Sequence, residues 1–155
     1  GYKIKPTIIK NNKKITKKKE KIISNETSES INKMLRKVVS LSEGTANFAN
    51  VKGYEVGGKT GTASKYNSSE KLNTFVSIFP ISEPKYVLVV MLDEPQAAPN
   101  FVYTFPSSEK FPNGYNYKGE KRNTAGWNTV VVAGKIIEKI GPILAINNLE
   151  ASNNF

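Results

Sequence analysis

The chain has 155 residues and contains neither cysteine nor histidine. These absences exclude thiol catalysis, a histidine general base, and metal sites built from histidine or thiolate ligands. The length allows one domain. No segment approaches the run of about 20 apolar residues that a membrane-spanning helix needs.

The net charge of +10 is concentrated at the start of the chain, where nine lysines lie in the first 21 residues. Such a run suits a nucleic-acid arm or an anionic-membrane patch, so a basic binding module is one alternative function. However, no aromatic residue is interleaved to stack on bases. We therefore predict a solvated basic hairpin over residues 1–23, with its turn at Asn11-Asn12, and no nucleic-acid partner.

A first amphipathic helix is predicted over residues 24–44, opened by Ser24. Its apolar stripe consists of Ile31, Met34, Leu35, Val38 and Leu41. The sequence Ser30-Ile-Asn-Lys33 in this helix matches both S-x-x-K and S-x-N, two patterns of serine acyltransferases. One serine cannot serve both patterns, and Ser30 and Lys33 fall beside the stripe, among the polar residues.

Residues 53–63 read GYEVGGKTGTA and satisfy two unrelated catalytic signatures. From Gly53 they spell G-x-x-x-x-G-K-T, the phosphate-binding loop, and YVLVVMLDE at residues 86–94 resembles the second signature of nucleotide hydrolases. From Lys59 they spell K-T-G, which serine acyltransferases of the penicillin-binding class carry on a strand beside the nucleophile.

The sequence on either side of Lys59 favours the strand. A phosphate loop must leave a buried strand and open a helix, but a polar connector precedes Gly53 and turn-forming residues follow Gly61. The pattern over residues 53–94 instead predicts an antiparallel β-meander, because the four-residue link at 82–85 is too short for parallel pairing. A phosphate-loop nucleotide hydrolase remains the alternative that nucleotide binding would reveal.

On such a strand, Lys59 and Gly61 project to one face while Thr60 and Thr62 project to the other. An edge strand beside a serine nucleophile can therefore offer an ammonium group, hydroxyl groups and backbone N–H groups together. Gly61 leaves room for close approach of a substrate or of an opposing catalytic helix.

The rest of the chain is predicted as a loop over residues 95–125, a C-terminal helix over 126–146 and a frayed tail over 147–155. The loop is rich in proline and aromatic residues, and a loop of this length can either line the cleft or pack down through its aromatic side chains. The helix is capped by Thr124 or Asn128 and ends near Gly141-Pro142. One of its faces consists of Val130, Ala133, Ile136, Ile137 and Ile140. The expected fold class is α/β of the α+β type, an antiparallel sheet with flanking helices.

The order of these motifs resembles the C-terminal part of the transpeptidase domain of class B penicillin-binding proteins, most closely the septal, cell-division type. The resemblance covers most of residues 5–146. Its segments are ISNET at 23–27, EGTA at 43–46, GYEVGGKTGTA at 53–63, DEPQ at 93–96 and GW at 126–127. It implies the sheet half of a penicillin-binding or β-lactamase-like domain, and a fragment whose nucleophilic serine and partner lysine lie upstream of Gly1.

The resemblance also implies roles for individual residues. Lys59 would assist proton transfer and bind the substrate carboxylate, the Thr60 and Thr62 hydroxyls would bind the carboxylate of the donor peptide or of a β-lactam, and the Thr62 N–H would supply half of the oxyanion hole. Gly61 would complete the substrate-binding set. In the family order, the helix carrying Ser30 is the one just before the K-T-G strand and not the nucleophile helix.

The function that the resemblance implies is cross-linking of peptidoglycan by a serine-type D,D-transpeptidase, with no metal or organic cofactor. The implied partners are stem peptides, β-lactams and, through the missing parts, membrane proteins of the cell-division machinery. The implied location is the periplasmic side of the bacterial inner membrane, with an upstream helix as anchor. A serine β-lactamase or β-lactam sensor shares K-T-G and stays an alternative.

Overall fold

The computed structural model of the chain describes residues 1–4, 6–8, 20–120 and 122–153. Near the start, Tyr2 and Lys21 form an antiparallel bridge, and the Lys3 N–H donates to the Glu20 carbonyl at 2.9 Å. The predicted strands and turn of the basic hairpin fall largely outside the described residues, so the hairpin stays a prediction.

The first helix, α1, spans Asn25–Ser40, and the Ser24 side chain caps it by accepting the Thr27 N–H at 3.0 Å. It ends before the predicted residue 44 because the chain turns sharply, with the Ala46 N–H bonded back to the Val38 carbonyl. The predicted apolar stripe is only partly covered. Val39 is the buried residue of α1, whereas Ile31 and Met34 are exposed.

The predicted meander is present as three antiparallel strands in the order β1-β2-β3: β1 Gly57–Ser64, β2 Lys71–Phe79 and β3 Tyr86–Asp93. Its first strand begins at Gly57, four residues after Gly53, where the predicted meander begins. The preceding residues turn instead, since Gly53 has a positive φ of 85° and the Tyr54 N–H bonds to the Val51 carbonyl. Because β1 pairs with β2 alone among the described strands, it is an edge strand.

The prediction of a loop over residues 95–125 was wrong in part, because two short strands lie within it. They are β4 Val102–Phe105 and β5 Tyr115–Lys118, paired antiparallel as a separate two-stranded sheet. Cross-strand aromatic contact stabilises this hairpin: the Phe105 and Tyr115 rings stack with centroids 4.4 Å apart. The hairpin is anchored on Phe48 and Trp127, whose rings lie 4.7 and 6.1 Å from that of Phe105.

The last helix, α2, spans Thr129–Asn153 and follows a short 3-10 helix at Ala125–Trp127. The predicted end near residue 141 and the predicted tail from 147 were wrong, because α2 continues through Pro142. Asn128 precedes α2 as predicted, and its side chain accepts the Thr129 N–H at 2.7 Å. In the described part of the chain, neither α1 nor α2 is both long and apolar enough to span a membrane.

The core lies between α2 and one face of the three-stranded sheet, which gives the predicted α+β arrangement. Phe75 on β2, Val90 on β3 and Ile137 on α2 belong to one buried cluster. The predicted inward face of α2 is confirmed, since Val130, Ala133 and Ile137 are fully buried.

The opposite face of the sheet is apolar but open. It carries the exposed side chains Val76, Val87, Val89 and Met91. Lys59 lies on this face, opposite Val76 in the register of β1 and β2. The sheet therefore has one face packed in the described chain. The other face is left open by the described residues except at its Gly57 end, where a Cβ would lie 3.3 Å from the backbone of Arg36 in α1.

Candidate active site

The edge strand β1 carries all four predicted site residues. Lys59 and Gly61 pair with Val76 and Thr74 of β2, on the open face, whereas Thr60 pairs with Phe75 on the packed face. The Thr62 side chain lies on the same packed face as that of Thr60. The predicted alternation is confirmed, and the free edge of β1 presents backbone N–H and C=O groups to an extended ligand.

Lys59 is exposed, and its Nζ donates to the Thr60 carbonyl at 2.9 Å. Within the described residues, no carboxylate lies within ion-pair distance of this ammonium group. The Lys59 charge is therefore available to an anionic ligand that approaches the edge.

Thr60 connects the strand to the segment after α1. Its hydroxyl lies 3.1 Å from the Thr45 hydroxyl, at hydrogen-bond distance. Thr45 belongs to the EGTA segment at 43–46, which the sequence presented as a separate motif. The structure thus brings two separated motifs to one place.

Thr62 is held by the segment that leads into α2. Its hydroxyl accepts the Ala125 N–H at 3.0 Å. Beneath this contact lies a cluster of three asparagines, in which Asn73 of β2 donates to Asn123 and Asn128 at 3.3 and 3.2 Å. The sequence analysis did not single out these amides. Their only sequence signal is an asparagine in the middle of an otherwise regular strand pattern.

Gly61 has open space where a side chain would begin. A Cβ built there would meet only the Thr74 carbonyl oxygen, at 3.9 Å. At Gly58, on the other face, a Cβ would lie 2.6 Å from the Val76 carbonyl oxygen and 2.7 Å from the Phe75 ring. Packing within the described chain therefore explains the glycine at 58 and leaves the one at 61 unexplained.

Lys65 fixes the far end of β1 to the end of β3. Its ammonium group pairs with Asp93 at 2.8 Å and with Glu94. The hydrogen bonds that the ammonium group donates to Asp93, which has the largest effect, and to Glu94 raise the Lys65 pKa well above its ordinary value. Asp93 and Glu94 of the DEPQ segment thus connect the end of β3 to the end of β1 beside the site, while no carboxylate of the described residues pairs with Lys59.

The structure places Ser30 and Lys33 on an exposed part of α1, among the polar residues as predicted. Three further segments also match S-x-x-K, although the sequence analysis did not name them: SSEK at 68–71, SEPK at 82–85 and SSEK at 107–110. None of the three lies on a helix: two lie in turns or loops, and the segment at 68–71 lies in the turn before β2 and ends on its first residue, Lys71. A lysine one helical turn after its serine is therefore found only in α1 among the described residues.

A cleft of about 890 Å³ lies between the end of α1 and the β4–β5 hairpin. Its lining includes Glu43, Phe105, Lys110 and Tyr115. Hydrogen bonding from Ser42 lowers the Glu43 pKa. Neither in this cleft nor in the rest of the described chain is a group of three or more acidic residues placed to hold a metal ion.

Comparisons with known proteins agree with this geometry. Residues 1–111 match the family model described as the penicillin-binding protein transpeptidase domain. The chain belongs to this family.

The relatives are considerably longer than this chain. A probable peptidoglycan D,D-transpeptidase FtsI from Caulobacter vibrioides is 30% identical over 81% of this chain and 20% of its own length. Stage V sporulation protein D from Bacillus subtilis is 40% identical over 54% of this chain and 13% of its own length. The chain thus spans about a fifth or less of these relatives.

A solved structure has the same fold. The transpeptidase domain of the FtsI4 D,D-transpeptidase from Legionella pneumophila superposes with a TM-score of 0.50 and 25% identity. The match covers 76% of this chain and 37% of that domain chain. The predicted fold class, an α+β arrangement of the transpeptidase type, is confirmed.

Proposed function

We propose that this chain supplies the sheet part of a serine-type D,D-transpeptidase that cross-links peptidoglycan stem peptides in septal cell-wall synthesis. The observation that carries the proposal is the edge strand β1, on which an unpaired ammonium, two hydroxyls and a glycine with open space lie together. The family membership supports it. No feature of β1 suits the phosphate-loop alternative, because Lys59 lies on an antiparallel strand and not before a helix.

Each residue has a role in the proposed reaction. Lys59 attracts the terminal carboxylate of the donor peptide and assists proton transfer, while the Thr60 and Thr62 hydroxyls donate hydrogen bonds to that carboxylate. The Thr62 N–H supplies half of an oxyanion hole for the tetrahedral intermediate. Gly61 lets the substrate backbone approach the strand.

The nucleophile of this proposal lies on a polypeptide segment outside residues 1–155. Its serine attacks the carbonyl carbon of the penultimate D-alanine, and the terminal D-alanine leaves with a proton on its amine. An amine of a second stem peptide then takes the acyl group and releases the serine. A β-lactam forms an analogous acyl-enzyme when the serine attacks its ring carbonyl and the ring amide bond breaks. The amine released in this step stays attached to the acyl group, so deacylation is slow.

The proposed protein acts on the periplasmic side of the inner membrane, anchored by a helix outside this chain, with membrane proteins of the division machinery as partners. The relatives named as FtsI transpeptidases and a sporulation protein support a role in septum formation.

The test uses the polypeptide that carries both this chain and the nucleophile segment, incubated with a fluorescent penicillin. Lys59→Ala should lower the acylation rate roughly a hundredfold, the loss typical of a removed electrostatic donor, with an unchanged melting temperature. Lys52→Ala is the matched control, because Lys52 is an exposed lysine shortly before the same strand. Acylation of Lys59→Ala at the rate of the control variant would refute the proposal.

A further inference from the structure

The orientation of the Thr62 hydroxyl is set by a backbone group. A threonine hydroxyl has one proton to donate and two lone pairs that accept. The Ala125 N–H occupies one lone pair at 3.0 Å. The hydroxyl proton is thereby left for an acceptor on the exposed side of Thr62, where the proposed function puts the substrate carboxylate.

The Ala125 N–H is itself held in a frame of side-chain hydrogen bonds. The Thr129 hydroxyl donates to the Ala125 carbonyl at 3.0 Å, and the Asn128 side chain accepts the Thr129 N–H at 2.7 Å. Asn128 in turn donates to the Asn123 side chain at 3.2 Å. The segment from 123 to 129 is therefore rigidly connected around the group that contacts Thr62.

Asn73 fixes this frame to the sheet. It lies directly opposite Thr62 in the register of β1 and β2, and it is completely buried. Its Nδ2 donates to both Asn123 and Asn128. One amide thus connects the strand beside Thr62 with the segment whose backbone contacts the Thr62 hydroxyl.

Asn73 is an unfavourable choice for stability alone. Its Oδ1 atom is buried and has no hydrogen-bond partner in the described part of the chain, and a buried unpaired amide oxygen costs free energy. An apolar side chain of similar volume would pack beside Phe75 without that cost. The two hydrogen bonds that Asn73 donates therefore indicate a role for this residue other than packing.

We propose that Asn73 is a positioning residue: through Asn123 and Asn128 it holds the Ala125 N–H against Thr62, so that the Thr62 hydroxyl proton points to the substrate carboxylate. This inference rests on the proposed function and adds a residue to it. Asn73 does not touch the substrate, and its effect is confined to recognition of the carboxylate.

The test compares a penicillin with its methyl ester, in the polypeptide that carries both this chain and the nucleophile segment. The measured quantity is the ratio of the two acylation rates, because a general structural defect lowers both rates alike. The variants are Asn73→Leu, which keeps the volume but removes the amide, Thr62→Val, and the double variant. Ser77→Ala is the matched control, since Ser77 is equally buried on the same face of β2 but donates to the Leu88 carbonyl.

Asn73→Leu should lower the carboxylate-to-ester ratio by about tenfold, the range for a weakened hydrogen bond to a charged group. Thr62→Val should lower it at least as far, and the double variant should go no lower than Thr62→Val, because both changes remove one interaction. Ser77→Ala should leave the ratio unchanged. An unchanged ratio in Asn73→Leu, or effects that multiply in the double variant, would overturn the inference while leaving the proposed function intact.

If Asn73→Leu does not fold, Asn128→Ala carries the test, because Asn128 is only partly buried. This change removes one of the two bonds that Asn73 donates, together with the bonds of Asn128 to Asn123 and Thr129. The expected fall in the ratio is again about tenfold, and an unchanged ratio again overturns the inference. Failure of the unaltered polypeptide to be acylated by either compound would overturn the proposed function together with the inference.

Discussion

Replacing Gly58 and Gly61 of β1 one at a time should distinguish an effect on folding from an effect on function. Gly58→Ala places a methyl group 2.6 Å from the Val76 carbonyl oxygen and 2.7 Å from the Phe75 ring, and both are parts of the packed sheet. Overpacking of this kind costs about 1–3 kcal/mol of stability. Gly61→Ala places its methyl group no closer than 3.9 Å to the Thr74 carbonyl oxygen.

The fold should therefore accept Gly61→Ala without loss. A side chain also restricts the unfolded chain, which stabilises a compatible position by about 0.4–1 kcal/mol. Function should respond in the opposite way. The new methyl group stands beside Lys59 at the strand edge, where the proposed substrate lies, and a displacement of about 1 Å at a reacting group costs roughly a hundredfold in rate.

The assay measures thermal unfolding and penicillin acylation on the same preparations of the polypeptide that carries both this chain and the nucleophile segment. Gly58→Ala should melt at a lower temperature and retain acylation below its melting range. Gly61→Ala should melt at or slightly above the temperature of the unaltered protein and lose acylation. A Gly61→Ala protein that is acylated at the unaltered rate would refute the argument that this face of β1 meets the substrate.

Three further outcomes are expected. In a denaturant titration, Ile137→Ala should lose about 2–5 kcal/mol of unfolding free energy, because Ile137 is completely buried. Ile143 is an exposed residue of the same helix, so Ile143→Ala should lose less than about 1 kcal/mol in the same titration. Because the Lys65 pKa is raised on folding, its ion pair stabilises the fold fully below the unfolded-state pKa of about 10.4 and loses that effect only as pH rises through the folded-state pKa. The melting-temperature difference between the unaltered protein and Lys65→Met should therefore stay constant from about pH 7 to 10 and shrink at higher pH. A difference that disappears near neutral pH would contradict this prediction. MgATP or MgGTP should leave the melting temperature unchanged because the Lys59 segment is an edge strand, whereas a saturable rise would indicate specific binding.

The parts of the fold that follow from local rules could be predicted from the sequence. The Ser24 cap, the short link between β2 and β3 and the periodicity of α2 each depend on residues close together in the chain. The same is true of the alternation of Lys59 and Thr60 across β1. These predictions are confirmed by the structure.

The elements that could not be predicted from the sequence depend on tertiary contacts. The β4–β5 hairpin is stabilised by rings that meet across it and by Phe48, which lies more than 50 residues earlier. Continuation of α2 through Pro142 depends on packing too, since Gly141 lies against the Tyr54 ring so closely that a Cβ would be 2.4 Å from it. The predicted helix end near Gly141-Pro142 was wrong because proline disfavours a helix interior in general, whereas this contact cannot be seen in the sequence.

The site was predictable as a motif and not as a three-dimensional arrangement. Lys59, Thr60, Gly61 and Thr62 are recognisable because they are contiguous. The hydrogen bonds between Thr45 and Thr60 and between Ala125 and Thr62 join residues that are 15 and 63 positions apart in the chain. The Asn73 network spans 50 to 55 residues. No local pattern reports such pairings.

Mapping the covalent penicillin adduct by peptide mass spectrometry tests the central claim most directly. The polypeptide that carries both this chain and the nucleophile segment is labelled, digested and searched for the acylated serine. We expect one adduct, on a serine outside residues 1–155, and a roughly hundredfold slower formation of that adduct in Lys59→Ala. An adduct on Ser30, abolished by Ser30→Ala, would contradict the account, because the nucleophile would then lie on α1.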